Sequence, residues 1–283
     1  MSSPEAATDS QPQAAAGSPP EFRQRDQPAG VPPLALTGER TLPDVPEENY
    51  WYRRHLVVYE WIAARVAGLR VIDMACGEGY GSEVLARGAA SVVGVDANPE
   101  AHEHARLKYE NPAHPRLRFE RDLIESFSEQ ADAVVFLQTI EHLQDPGMVL
   151  GRFRTLIGAG RRSVQARGVV YVSTPNVLTL APAGAPRSDN PWHVHEYRRE
   201  EFERLCRQHF ADVELYGLFH ARKLRAHELA LSLGWDRLHP RLGLTRRFYD
   251  WFTPAIAAGD FVLRPAGEAN MDRALDFLAV CRP

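Results

Sequence analysis

An α/β architecture built on a largely parallel sheet follows from three features of this 283-residue chain. Short apolar runs alternate with segments long and polar enough for helices. A glycine-rich loop joins the first such run to the segment after it. A lone acidic residue closes the second run.

Bulk properties narrow the function classes. Hydrophobic residues make up 44% and charged residues 25%, as in an ordinary globular chain. By length the chain holds one large domain or two small ones. A net charge of −4 offers no general attraction to nucleic acid or to an acidic membrane. No apolar run reaches the ~18 residues of a membrane helix, and the N-terminus lacks a basic-then-apolar leader. Cys76, Cys206 and Cys281 are too scattered for a disulfide framework or a zinc spacing. The expectation is a soluble, cytoplasmic protein with no membrane span and no nucleic-acid partner.

The elements run as follows. Residues 1–34, rich in Ala, Pro, Gln, Ser and Gly, are expected to be disordered. Residues 35–69 form an N-terminal cap whose helix spans Tyr50–Ala67 and stops at Gly68. A core over 70–220 follows. Its strands are predicted at Arg70–Ala75, Ser91–Ala97, Leu117–Asp122, Ala131–Gln138, Gly168–Asn176 and within Ala211–Phe219. Helices start at Gly81 and span Pro99–Tyr109, Asp145–Ile157 and Arg198–His209. Residues 221–270 read as a helical insertion on the acceptor side. Within 271–283, the alternating "ALDFLAVCR" reads as a strand that closes the sheet.

The loop "VIDMACGEGYGS" places Gly77, Gly79 and Gly81 between a strand and a helix. Glycines there allow a ligand to approach the backbone, and helix N–H groups face it. Asp96, at the end of the second strand, can accept bonds from both ribose hydroxyls. The G-x-G-x-G spacing differs from the dinucleotide pattern. Glu78 in the loop and Asp73 before it would repel a pyrophosphate but suit an ammonium group. Those features describe S-adenosylmethionine. Asp122 can bind an adenine amino group with Leu123 against the ring, or it simply starts a helix.

In order, "VIDMACGEGYGS", "VVGVDANPEA", "FERDLI", "ADAVVFLQTIEHLQDP" and "VVYVSTPN" resemble the successive motifs of class I S-adenosylmethionine-dependent methyltransferases. The resemblance covers about Tyr50 to Phe219 and the closing strand. It implies a seven-stranded Rossmann-like methyltransferase sheet with helices on both faces and an antiparallel last strand. "LTGERTLPDVPEENYWYRRHLVVYE", "NPWHVHEYRREEF" and "GLFHARKLR" resemble actinobacterial sugar O-methyltransferases associated with methylglucose lipopolysaccharides. That resemblance implies a carbohydrate acceptor, a sugar hydroxyl of an intracellular oligosaccharide or polysaccharide. By the family resemblance Asp73, Gly77 and Gly79 cradle the methionine moiety, Asp96 the ribose, and Asp122 with Leu123 the adenine; Cys76 and Ala97 count among the cofactor-binding residues, Cys76 as a small packing residue of the loop and not a nucleophile. Gln138 lines the pocket near the sulfur. Tyr50, Arg54 and His55 cover the cofactor, with Arg54 meeting its carboxylate.

The acceptor side centres on "FLQTIEHLQDP" and "NPWHVHEY". His142 and Glu141 follow the fourth strand, at the edge where open α/β sheets bind ligands. A sugar hydroxyl needs a base, and histidine suits neutral pH. In one reading His142 is that base, Glu141 assists it, and Trp192, His193, His195 and His220 bind the acceptor. In a second, Glu141, His142 and His193 or His195 surround a divalent metal. The second resembles small-RNA 2′-O-methyltransferases, except that Gln138 stands where their pattern has its first Glu. In a third, Glu141 and His142 only begin a loop. His102 and His104 look solvent-facing. Methylation of a lipid-quinone or small phenol, and a non-enzymatic cofactor-binding protein, are the competing functions.

Overall fold

The computed structural model describes residues 21–22, 24, 27–35, 40–113, 115–157, 168–182 and 184–283. A small antiparallel pair, β1 (Glu21–Phe22) and β2 (Leu34–Ala35), comes first. Then follow α1 (Asn49–Ala63), β3 (Arg70–Met74), α2 (Tyr80–Ala86), β4 (Ser91–Val95), α3 (Pro99–Tyr109) and β5 (Leu117–Glu120). Next come β6 (Ala133–Leu137), α4 (Pro146–Ile157), β7 (Val169–Pro175), the one-turn α5 (Val177–Leu180) and α6 (Arg199–His209). The chain closes with β8 (Asp212–His220), α7 (Arg222–Ser232), α8 (Trp235–Arg241), α9 (Thr245–Phe252), β9 (Phe261–Pro265) and β10 (Asp276–Arg282).

The main sheet has the order β5-β4-β3-β6-β7-β10-β8-β9. β5 to β7 are parallel, β10 lies antiparallel between β7 and β8, and β9 is antiparallel to β8. Among the described residues the sheet therefore has eight strands, not the expected seven. The extra strand, β9, falls in the stretch expected to be helical. Its sequence "FVLRP" is short, half-exposed and ends in proline, as an edge strand does. Such a strand leaves little periodic signal.

Period-two alternation builds a core on each face. Val71, Val135, Leu278 and Val280 pack with Leu56, Ile62, Val84 and Leu224 from α1, α2 and α7. Ile72, Val134, Phe136, Phe277 and Ala279 pack with Leu150, Phe153 and Phe202 from α4 and α6. α3 starts where the sequence predicts: Pro99 occupies its first turn and the Asn98 side chain accepts from the N–H groups of Glu100 and Ala101. α1 stops at Ala63, short of the predicted Ala67, and Gly68 sits in the turn beyond.

Residues 1–20 of the segment expected to be disordered lie outside the described residues. The remainder is corrected by packing that composition hides. Leu34 is buried with Leu42 and Val45. Gln24 Nε2 donates to Glu78 at 2.8 Å, and the Pro32 carbonyl meets His104 Nδ1 at 2.8 Å.

From β3 the chain proceeds to β4 on one side, while β6 lies on the other. At this switch point the loops after β3 and β6 diverge and leave a crevice at the carboxyl edge.

Candidate active site

The crevice is walled by Ala75, Cys76, Gly77 and Glu78 after β3 and by Leu137, Gln138 and Thr139 after β6. Arg40, Thr41, His55, Tyr59 and Tyr80 complete it. Gly77 has φ +56°, and Gly79 and Gly81 are explained by close approach. At Gly79, φ is +97°, and a Cβ would lie 2.8 Å from Ala105 Cβ. At Gly81 it would lie 2.1 Å from the Tyr59 ring. Asp96 braces the loop: Oδ2 accepts from Gly77 N at 2.8 Å and Oδ1 from Asn98 N at 2.9 Å.

Two non-glycine residues adopt positive φ at the ends of the two strands that flank the switch point. Ala75 has φ +58° after β3, and Gln138 has φ +51° after β6. Each left-handed residue costs about 1–2 kcal/mol. Both face the crevice, where such strain tends to concentrate. Gln138 is held by its own N–H and its Nε2, both donating to Ser173 Oγ at 3.1 and 3.0 Å.

Several predicted cofactor residues sit differently from the expectation. Glu78 lines the crevice, yet its carboxylate turns away from any ligand ammonium. It accepts from Gln24, Tyr80 N, Lys108 and Tyr109, and lies beside His104. Burial alone would raise its pKa, but His104 and the Lys108 ammonium reverse this and hold it below the ordinary value. His104, expected to face solvent, is fully buried by this contact. Asp73 is also fully buried, beneath the loop, accepting from Ser82 Oγ at 2.6 Å and Tyr59 OH at 3.2 Å. Burial pushes its pKa up to about 7, and those bonds only partly offset the effect.

Arg54 is committed elsewhere. Its guanidinium is buried, donates twice to Asp276 and once to the Leu275 carbonyl. Instead, Arg40 brings a guanidinium to the crevice wall, and its Nη1 is buried without an acceptor among the described residues. Sequence reasoning missed Arg40, because an arginine in a Gly/Thr-rich stretch carries no periodic signal. His55 does line the crevice, and burial lowers its pKa to about 4, so it stays neutral. Tyr50 OH is bonded to His220 Nε2 at 2.7 Å, and His220 Nδ1 to Glu228 Oε1 at 2.6 Å. His220 thus joins α1 to α7. Burial of Cys76 raises its thiol well above the ordinary value, as a packing residue requires. Ala97 and Leu123 are exposed, and Asp122 caps its own turn through Leu123 N and Ser126 Oγ.

Beyond the end of β6 the fold brings together residues 50 positions apart. Glu141 lies in a short 3-10 turn, Ile140–His142, and its carbonyl accepts from the N–H groups of Val194 and His195 at 2.9 and 3.1 Å. This docks the "NPWHVHEY" segment against the turn. The Trp192 carbonyl then accepts from His142 Nδ1 at 3.0 Å, and the His142 and His193 rings stand 5.0 Å apart. His193 is oriented in turn: Nδ1 meets Glu196 Oε1 at 2.7 Å, and Asn190 donates to Nε2 at 3.0 Å. Ser188 anchors Glu196 through both its N–H and its hydroxyl. One ligand atom each from Glu141, His142 and His193 lie within 4.8 Å of one another. Burial pushes Glu141 up to about 8, with Thr174 Oγ1 donating to it at 3.2 Å. His195 does not share this face. The segment is irregular rather than extended, and the His195 ring packs on Tyr197 at 4.5 Å.

A glycine loop braced by Asp96 at the switch point of such a parallel sheet is the arrangement of a nucleoside-binding, Rossmann-like fold. Residues 50–229 match the family model described as "Methyltransferase domain". A probable S-adenosylmethionine-dependent methyltransferase of Mycolicibacterium smegmatis is 34% identical over 87% of this chain and 94% of its own length. A similarly described protein of Mycobacterium tuberculosis is 34% identical over 87% and 89%. A ubiquinone biosynthesis O-methyltransferase of Albidiferax ferrireducens is 32% identical over 60% and 69%. The fold also matches a crystal structure from Thermotoga maritima, a possible histamine N-methyltransferase, with TM-score 0.52 and 12% identity over 83% of this chain and 94% of that one. The chain belongs to the S-adenosylmethionine-dependent methyltransferases. The crevice fits that cofactor: Arg40 Nη1, buried at its wall, has no acceptor among the described residues and could meet a carboxylate, and Asp96 stands 19 residues after Gly77. Among the described residues no helix is long and apolar enough to cross a membrane.

Proposed function

We propose that this enzyme methylates a carbohydrate hydroxyl. The observation that carries the proposal is the meeting of Glu141, His142 and His193 just beyond Gln138, beside a largely exposed Trp192 indole. An exposed aromatic face among polar groups suits a sugar ring. S-adenosylmethionine supplies an already activated methyl group, so the chain must align the acceptor and take its proton. With His142 Nδ1 donating to the Trp192 carbonyl, Nε2 is the ring atom that we assign to take the acceptor's proton. Arg40 binds the cofactor's carboxylate, in the role expected of Arg54. Asp96 and Ala97 hold the ribose, Asp122 and Leu123 the adenine, and Gln138 borders the reacting end.

Incubation with labelled cofactor and panels of oligosaccharides, phenols and short RNAs tests this. Label on oligosaccharide is the expected result. Label on phenols alone would transfer the activity to the quinone class that several relatives' names suggest. No transfer, combined with normal cofactor binding, would favour a non-enzymatic role.

The clustering of three ligand atoms also favours a second reading, in which Glu141, His142 and His193 hold a divalent metal for the acceptor. Glu196 on His193 Nδ1 is the kind of outer partner that orients metal-binding histidines, and a metal at Nε2 would have to displace the Asn190 amide from that atom. Loss of activity with a chelator and recovery with magnesium or manganese would select this reading over the base.

A further inference from the structure

We infer that the α7–α8 cap docks on an anionic lipid bilayer. α7 carries Leu229 with Leu233 capping its end, and α8 carries Leu238 with Leu242 just after it. Each pair is spaced four residues apart, which places both members on one helix face. All four are exposed, Leu233 by 80% and Leu229 by 61%. Across the helix junction, Leu233 and Leu238 line one groove with Trp235, Arg237 and Arg241. Single exposed leucines need no explanation, but a shared apolar groove edged by cations marks an interaction surface.

Charge selects the partner. Between 222 and 247 stand seven arginines or lysines and two acids, in a chain of net charge −4. The whole-chain charge therefore conceals a cationic cap. Lys223 is paired with Asp260 and Arg246 with Asp250. Among the described residues neither Arg237 nor Arg241 has an ion-pair partner. A second copy would set like charges against each other. Nucleic acid would meet leucines where its phosphates need polar groups. Leucines flanked by arginines match a helix that lies in a lipid interface, with acyl contact below and headgroup contact at the rim.

The cap is joined to the catalytic edge. α7 follows β8 directly, and the Tyr50–His220–Glu228 chain ties it to α1. A docked cap would hold the crevice near the lipid surface. The inference does not depend on which acceptor is methylated.

Co-sedimentation of the full chain with vesicles tests it, using phosphatidylcholine alone or mixed with phosphatidylglycerol, at low and high salt. Binding is expected only to the anionic vesicles and should weaken with salt. Leu233→Asp with Leu238→Asp, and separately Arg237→Glu with Arg241→Glu, should each lower the partition by roughly tenfold or more. Both variants should keep normal melting and cofactor affinity; the exposed arginine pair supplies the answer if the leucine variant fails to fold. Absence of anionic-vesicle binding, or binding unchanged in folded variants, would overturn the inference. So would a dimer in light scattering that Leu233→Asp dissolves, or tighter binding to a DNA duplex than to the vesicles.

Discussion

Arg54 and Asp276, 222 residues apart, form a buried two-point ion pair, with Nε 2.7 Å from Oδ2 and Nη2 2.6 Å from Oδ1. It ties the first long helix to the strand that closes the sheet. Removing one partner strands the other charge in the interior. Arg54→Ala and Asp276→Ala should each cost about 3–5 kcal/mol in urea denaturation. An Arg54→Leu/Asp276→Leu double variant should recover much of that loss, which a purely surface pair would not show.

Arg40 lines the crevice, and its Nη1 is buried without an acceptor among the described residues. Charge-assisted bonds of this kind contribute about 1.5–3 kcal/mol. Arg40→Ala should therefore weaken S-adenosylmethionine binding by roughly 10–100-fold in calorimetry, with little change in melting temperature. Unchanged affinity would remove Arg40 from the cofactor site.

Asp73 keeps its proton in the folded chain up to about pH 7, against an ordinary value of 3.8. Its contribution to stability is fully present below about 3.8 and is lost as the pH rises through 7. Urea midpoints measured from pH 4 to 8 should fall less steeply in Asp73→Asn than in the native chain. An identical slope would show that the carboxyl titrates normally.

His142 and His193 adjoin, but the base and metal readings assign them different weights. With His142 as base, His142→Ala should lower kcat by roughly 10²–10⁴-fold and abolish the acidic limb of the pH profile. His193→Ala should then act mainly on KM. Equal losses in kcat for both variants, together with metal dependence, would assign the pair to metal binding.

The sheet was legible because its signals are local. Apolar runs such as "AVVFL" alternate with helix segments opened by residues such as Asn98 and Pro99, and both kinds of signal act over a few positions. The glycine loop was legible for the same reason. β9 was not, since a short exposed edge strand has no buried face to write into its sequence. Glu78 and His104 were not legible because their partners come from distant positions: Gln24 and Lys108 for Glu78, Pro32 and Glu78 for His104.

By itself, the sequence determined the α/β class, the order of most elements, the methyltransferase family and the glycine loop at the end of the first core strand. These follow from patterns that each segment carries alone. Only the tertiary structure decided that Arg54 serves Asp276, that Arg40 reaches the crevice, and that His193 rather than His195 joins Glu141 and His142. Each of those outcomes depends on where a side chain ends after long-range folding. In the last case, two hydrogen bonds from Val194 and His195 to one carbonyl fix which histidine turns inward.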